Sequence, residues 1–235
     1  MIAPLLTTLA FLVSTTASAK PETLQVELAD RVVKGVIDQP KGEGPHPFLI
    51  LASGEVGEKR DPLFEKIFAA ALAEGYVPLE LEWSFKKSKV KPSADLKREA
   101  EELGTVVNDF MASRMMKRYE LDLKRVVLLA SGFAARVAVL PESGVSSSKV
   151  GAALLLNPSC DSAEDSFTKL YSMFFAAKAP RFLIQSKSAA GCPLPQIYAA
   201  AKGFGESTTL YTFEGEANAA TLTPVVSNWL KQRRK

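Results

Sequence analysis

The segment LASGFAARVAVL, Leu129–Leu140, predicts a buried strand that turns sharply into a helix. Such a turn brings the backbone on its two sides close together, so the residues two before and two after the turn residue must be small. Centring the turn on Gly132 places alanines at both positions, whereas centring it on Ser131 would place Leu129 and Phe133 there. Glycine also holds a positive φ without strain, while a serine would store roughly 1–3 kcal/mol. The sequence therefore predicts a turn at Gly132.

Outward from this segment, apolar runs alternate with helical patterns along the whole chain. The predicted strands are TLQVELA and RVVKGVIDQP, which form an antiparallel edge hairpin, then PFLILAS, YVPLELEW, RVVLLAS, VGAALLLN, PRFLIQ and TTLYTFEG. The predicted helices are PLFEKIFAAALAE, capped by Asp61 and ended by Gly75, a long helix from Ser93, a short helix stopped by Pro141, SFTKLYSMFFAAK, PQIYAAAKG and a terminal helix around Val225 to Lys231. This order predicts an α/β fold, a doubly wound and mostly parallel sheet with helices on both faces.

The long helix places its apolar residues on one stripe. They are Leu96, Ala100, Leu103, Val107 and Phe110, at spacings of three and four residues. We interpret the acidic group Glu99, Glu101 and Glu102 as part of a solvated face rather than a metal site.

Composition indicates one globular domain over residues 20–235, because 47% of the 235 residues are hydrophobic and 23% are charged, with no linker or repeat. The net charge of +3 is too small to predict a nucleic-acid partner. The basic runs FKKSKVKP and KQRRK are interpreted as a solvated loop and a helix C-terminus.

The first nineteen residues resemble a secretory signal. The apolar stretch PLLTTLAFLV precedes STTASA, whose small-x-small ending predicts cleavage between Ala19 and Lys20. The stretch contains no Lys or Arg, which leaves a short membrane anchor as the alternative. The apolar stretch is shorter than a transmembrane helix requires, so we expect a periplasmic or secreted protein with no stable membrane span.

Two cysteines in an exported protein usually form a disulfide. Cys160 and Cys192 follow two predicted parallel strands, so both sulfurs are expected at the same edge of the sheet. A closed loop of this size would stabilise the fold by roughly 3–4 kcal/mol.

The sequence contains few residues suited to catalysis or to binding a metal or cofactor. The chain contains one histidine, His46, which lies between two prolines and is predicted to be a solvated turn residue without a partner hydroxyl. One histidine and two separated cysteines predict no metal site, and no glycine-rich phosphate loop indicates a nucleotide cofactor. We therefore expect no cofactor.

Over nearly all its mature length the chain resembles the α/β-hydrolase superfamily, and within it the branch of testis-expressed protein 30 and bacterial dienelactone-hydrolase-like proteins. The turn LASGFAARVA is similar to the branch pattern G-x-S-M-G-x-R-x-A and keeps Arg136 and Ala138. In this alignment the nucleophile position is Gly132.

The resemblance implies losses at the other functional positions as well. The histidine-glycine oxyanion loop corresponds to Ser53 and Gly54, followed by Glu55, whose carboxylate would oppose developing negative charge. The acid position corresponds to Ala189, or to Ala190 if the register slips, and the histidine position corresponds to Asn218. Asparagine forms hydrogen bonds but does not take a proton at neutral pH.

The leading hypothesis is an exported pseudo-hydrolase, not an enzyme, that binds an unidentified small molecule or envelope protein in the crevice where strands end. Its candidate pocket residues are Ser53, Gly54, Glu55, Ser131, Gly132 and Asn218. The alternative is an active, esterase-like serine hydrolase that pairs Ser131 with Lys187 as base. A third hypothesis is a structural envelope protein that uses the basic segments.

Overall fold

The computed structural model describes residues 20–53, 61–82, 92–140, 143–144, 150–158, 180–188, 192–203 and 208–234. Its strands are β1 (Glu22–Glu27), β2 (Val32–Ile37), β3 (His46–Ala52), β4 (Val77–Glu82), β5 (Leu121–Ser131), β6 (Ala152–Leu156), β7 (Arg181–Ser186) and β8 (Thr208–Phe213). Its helices are α1 (Pro62–Ala73), α2 (Pro92–Phe110), α3 (Ser113–Tyr119), α4 (Gly132–Ala138), α5 (Leu194–Gly203) and α6 (Ala219–Arg233).

The eight strands form one sheet in the order β1-β2-β4-β3-β5-β6-β7-β8. β1 and β2 are the predicted antiparallel hairpin, and β2 also runs antiparallel to β4. All other neighbouring strands are parallel. The prediction of a doubly wound, mostly parallel α/β sheet is confirmed.

Two hydrophobic cores lie on opposite faces of the sheet. Along β3, Phe48 and Ile50 pack on the face covered by α2 to α5, whereas Leu49 and Leu51 pack on the face covered by α1 and α6. Successive strand residues point to opposite faces, so a strand buried on both sides is apolar at nearly every position. This explains why PFLILA contains no polar residue.

α1 has the predicted ends. Asp61 Oδ1 accepts a hydrogen bond from Leu63 N at 2.8 Å, and Pro62 occupies the first turn, where its missing N–H costs nothing. Gly75 follows the helix at φ +81°, a conformation that glycine adopts without strain.

α2 buries the predicted stripe, but one part of its charged face was interpreted wrongly. Glu99 is only 2% exposed and accepts a hydrogen bond from Arg31 Nη2 at 2.7 Å; Glu102 accepts from the same nitrogen. Arg31 lies in the β1–β2 turn. The residue pattern of α2 by itself does not indicate that this turn packs against the helix. These two carboxylates anchor the hairpin instead of facing water.

One helix is additional to the sequence predictions, and two elements begin several residues earlier than predicted. α3 was not predicted, because its N-cap Ala112 makes no side-chain capping bond and the helix is only seven residues long. β5 begins at Leu121 rather than at Arg125. α6 begins at Ala219, before Pro224, because the Asn218 side chain caps it. The predicted helix SFTKLYSMFFAAK and the stop at Pro141 lie outside the described residues.

Candidate functional site

The carboxyl ends of β3 and β5 bring two predicted pocket residues together. Ala52 pairs with Ala130 across these parallel strands, so Ser53 and Ser131, the next residues, lie side by side. Ser131 has extended backbone, with φ −120° and ψ 154°. The turn from β5 into α4 is made by Gly132, whose φ is +50°, as the flanking small residues predict. A side chain at this positive-φ position would be strained, and glycine has no side chain.

Asn218 also lies at the carboxyl ends of the strands, but in the segment after β8, the last strand of the sheet. Its Oδ1 accepts a hydrogen bond from Thr221 N at 2.9 Å, and its Nδ2 donates to Glu216 O at 3.4 Å. The side chain is exposed and serves as the N-cap of α6. An amide engaged in this way holds the loop after β8 but transfers no proton.

Lys187 forms an ion pair with the loop after β8. Its Nζ lies 2.7 Å from Glu214 Oε1, and both side chains are largely exposed. The hydrogen bond to Glu214 and the attraction of its carboxylate raise the pKa of the Lys187 ammonium. A base must release its proton near neutral pH, so this environment argues against the pairing of Ser131 with Lys187.

A polar cluster that sequence analysis missed joins the ends of β6, β7 and β8. Ser186 Oγ and Ser188 Oγ both donate to Gly215 O, the latter at 3.2 Å. Asn157, at φ +42°, accepts a hydrogen bond from Ser186 N on its Oδ1 at 2.7 Å. The sequence indicates this cluster only through Asn157 and Ser186, polar residues that follow or end the apolar stretches of β6 and β7. Together with the Lys187–Glu214 ion pair, it holds the loops after β7 and β8 together.

His46 is not a solvated turn residue, which corrects the sequence prediction. It is the first residue of β3, is only 6% exposed, and its backbone N donates to Glu120 O at 2.7 Å. The parallel partner β5 covers this position even though a proline lies on either side. His46 thus lies at the amino end of β3, opposite the edge that holds Ser53.

Several predicted site residues lie outside the described residues, namely Gly54, Glu55, Ala189, Ala190 and Cys160. Cys192 is described and is 2% exposed. No cysteine among the described residues is a free thiol. The Cys160–Cys192 pairing stays a prediction.

Metal and membrane features are limited in the part of the chain that the structure describes. It contains no group of three or more His, Cys, Asp or Glu side chains suited to a metal ion. None of its helices is long and apolar enough to cross a membrane.

No protein-family model and no curated protein sequence matches the chain. Solved structures do resemble it. An alpha-beta serine hydrolase homologue from Coxiella burnetii superposes with a TM-score of 0.67 at 13% identity, over 89% of this chain and 97% of that one. The esterase domain of a Rhodothermus marinus protein gives 0.67 at 14%, over 91% and 99%. Thermogutta terrifontis esterase 2 gives 0.65 at 16%, over 90% and 92%.

These identities are too low to transfer an activity, but the superpositions span nearly the full length of both chains. This chain has the α/β-hydrolase fold.

Proposed function

We propose that this chain is a non-catalytic α/β-hydrolase-fold protein whose carboxyl-edge crevice binds a small molecule or a partner protein. The observation that carries the proposal is Gly132, which occupies the positive-φ turn after β5. In hydrolases of this fold, that turn presents the nucleophilic serine. A glycine there keeps the backbone geometry and supplies no nucleophile.

The lack of an imidazole supports the same conclusion. The chain has a single histidine, and it is the first residue of β3. A strand rises about 3.3 Å per residue, so His46 lies roughly 20 Å from the carboxyl end where Ser53 follows. No histidine is therefore within reach of a hydroxyl at the crevice, and a Ser-His-acid triad is not available.

The test is labelling of the protein with a fluorophosphonate probe, alongside turnover of a panel of short-chain esters. We expect no labelling and no turnover above the background of a matched Ser131→Ala variant. Labelling that disappears in Ser131→Ala would establish Ser131 as a nucleophile and overturn the proposal. Labelling that persists in this variant would overturn it too, because another serine would then be reactive.

The binding part of the proposal is tested with the same compounds. A thermal-shift screen of the esters and their acid products should raise the melting temperature for at least one compound without turnover. A flat response across the panel would reject small esters and acids as ligands and would favour a protein partner.

We also propose that the mature chain begins at Lys20, is exported, and closes a Cys160–Cys192 disulfide. The signal-like first nineteen residues and the burial of Cys192 support this. Thiol titration of unfolded, unreduced protein should find no free sulfhydryl, and the same sample after reduction should find two. Two sulfhydryls before reduction would reject the disulfide.

A further inference from the structure

A cavity of about 380 Å³ lies at the amino end of β4, at the opposite end of the parallel strands from the crevice. Its wall is formed by the segment after β2, by the end of α1 with Gly75, and by Arg234 after α6. Asp38 N donates to Pro78 O at 3.3 Å, which places this wall beside the start of β4. Ligand sites in proteins begin at about 300 Å³, so the cavity has room for a molecule the size of one amino acid.

The wall of this cavity carries a carboxylate that has no cation beside it. Asp38 is only 9% exposed, and its Oδ1 accepts a hydrogen bond from Gln39 N at 2.8 Å. Its carboxylate forms no ion pair with any residue that the structure describes. Charged groups removed from water are usually paired, because the lost hydration is otherwise uncompensated. Asp38 lines the cavity, so a cationic group bound there would supply the missing partner.

Arg234 brings the opposite charge to the same cavity. Within the described chain it uses only its backbone for hydrogen bonds: its N donates to Leu230 O at 3.0 Å, and its O accepts from Arg125 Nη1 at 2.7 Å. These bonds hold the residue in place. Its guanidinium carbon lies 3.4 Å from the position that a Cβ on Gly75 would take, so the glycine leaves the space that the guanidinium occupies. A guanidinium held in this way presents paired donors that match the two oxygens of a carboxylate.

We propose that this cavity binds a small zwitterion of the amino-acid type, whose ammonium group pairs with Asp38 and whose carboxylate pairs with Arg234. Lys41, which also lines the cavity and is exposed, adds a second cation on the side of the ligand carboxylate. A ligand with a negative charge alone is repelled by Asp38, and one with a positive charge alone is repelled by the two cations. Leu72 and Pro40 provide apolar surface for a short aliphatic side chain. The site is separate from the crevice, so this proposal does not depend on what the crevice binds.

A ligand-observed NMR titration with three compounds of matched shape tests the proposal. The compounds are leucine, isopentylamine, which lacks the carboxylate, and 4-methylpentanoate, which lacks the ammonium group. We expect leucine to bind with a dissociation constant of roughly 10 mM or below, and each of the other two to bind at least about tenfold more weakly, because each loses one charge-assisted pair. No binding of leucine in this range would overturn the proposal. Binding of 4-methylpentanoate or isopentylamine as tight as that of leucine would overturn it as well.

Two variants locate the binding at this cavity. Arg234→Gln should remove the advantage of leucine over isopentylamine, and Asp38→Asn should remove its advantage over 4-methylpentanoate. Arg234 is exposed, so its variant tests the site even if Asp38→Asn does not fold. The matched control is Arg233→Gln, because Arg233 lies over the ring of Trp229 and does not line the cavity, so leucine binding should be unchanged. Leucine binding that Arg234→Gln leaves unchanged would place the ligand elsewhere and reject the site.

Discussion

At the scale of single residues, Gly132 carries the main functional consequence. A serine at φ +50° would store strain of roughly 1–3 kcal/mol, which active sites tolerate because they use the exposed hydroxyl. Without a histidine at this edge, a hydroxyl there would have no base to activate it. Glycine therefore suits a turn that is needed only for the connection between β5 and α4.

Gly132→Ala should destabilise the protein by about 1 kcal/mol, because alanine is strained at positive φ. Urea unfolding followed by circular dichroism measures this. Gly215→Ala is the matched comparison, since Gly215 has φ +77° and nothing lies within 4 Å of the added Cβ, so that strain alone acts. A neutral Gly132→Ala together with a costly Gly215→Ala would mean that Gly132 does not hold the left-handed conformation in solution.

At the scale of elements, one arginine of the β1–β2 turn links the hairpin to α2. Arg31 reaches Glu99 and Glu102 of α2, and its side chain is 12% exposed. Breaking a buried ion pair leaves an uncompensated charge, which costs far more than losing a pair at the surface. The hairpin includes β1, one edge of the sheet, so this contact connects that edge of the sheet to α2.

Arg31→Ala should lower the free energy of unfolding by about 3–5 kcal/mol. The matched control Arg114→Ala removes an exposed partner of Asp109, whose pair is 67% and 35% exposed, and should cost less than about 1 kcal/mol. Chemical denaturation of both variants at neutral pH gives the comparison. Equal losses in the two variants would contradict the buried status of the Arg31 contacts.

At the scale of the whole molecule, Tyr76 connects the start of β4 with the C-terminal helix. Its hydroxyl donates to Leu230 O at 2.9 Å across 154 residues of sequence, and the side chain is fully buried. Burial, opposed in part by nearby arginines, raises the pKa of Tyr76 from 10.0 to about 12. The folded state therefore holds the neutral phenol in a pH range where the unfolded chain loses its proton.

Tyr76→Phe should cost about 1 kcal/mol at neutral pH, the typical net value of one hydrogen bond. The stability that Tyr76 contributes is complete below pH 10.0 and is lost as pH rises toward the folded pKa of about 12, because the unfolded phenol ionises first. The wild-type advantage over Tyr76→Phe should thus shrink across this window in denaturant unfolding curves. Other titrating groups are common to both proteins and cancel. An advantage that stays constant through the window would contradict the raised pKa.

Much of the fold follows from local patterns along the chain. Unbroken apolar runs identify the buried strands, and Asp61 with Pro62 marks the start of α1. The residues flanking Gly132 predict the turn after β5, because steric exclusion at a tight turn acts over only a few neighbouring positions. α3 was not predicted, because it is short and has no side-chain cap.

The sequence by itself determined the order of the strands, the turn at Gly132 and the lack of a second histidine, since each depends on neighbouring residues or on composition alone. Only the tertiary structure decided the environments of His46, Glu99 and Lys187. Their burial or pairing depends on Leu121, Arg31 and Glu214, which are distant in sequence and meet them only after the chain folds. A charged or polar side chain carries no local signal of such partners, because the free energy that decides its burial comes from the distant group that satisfies it.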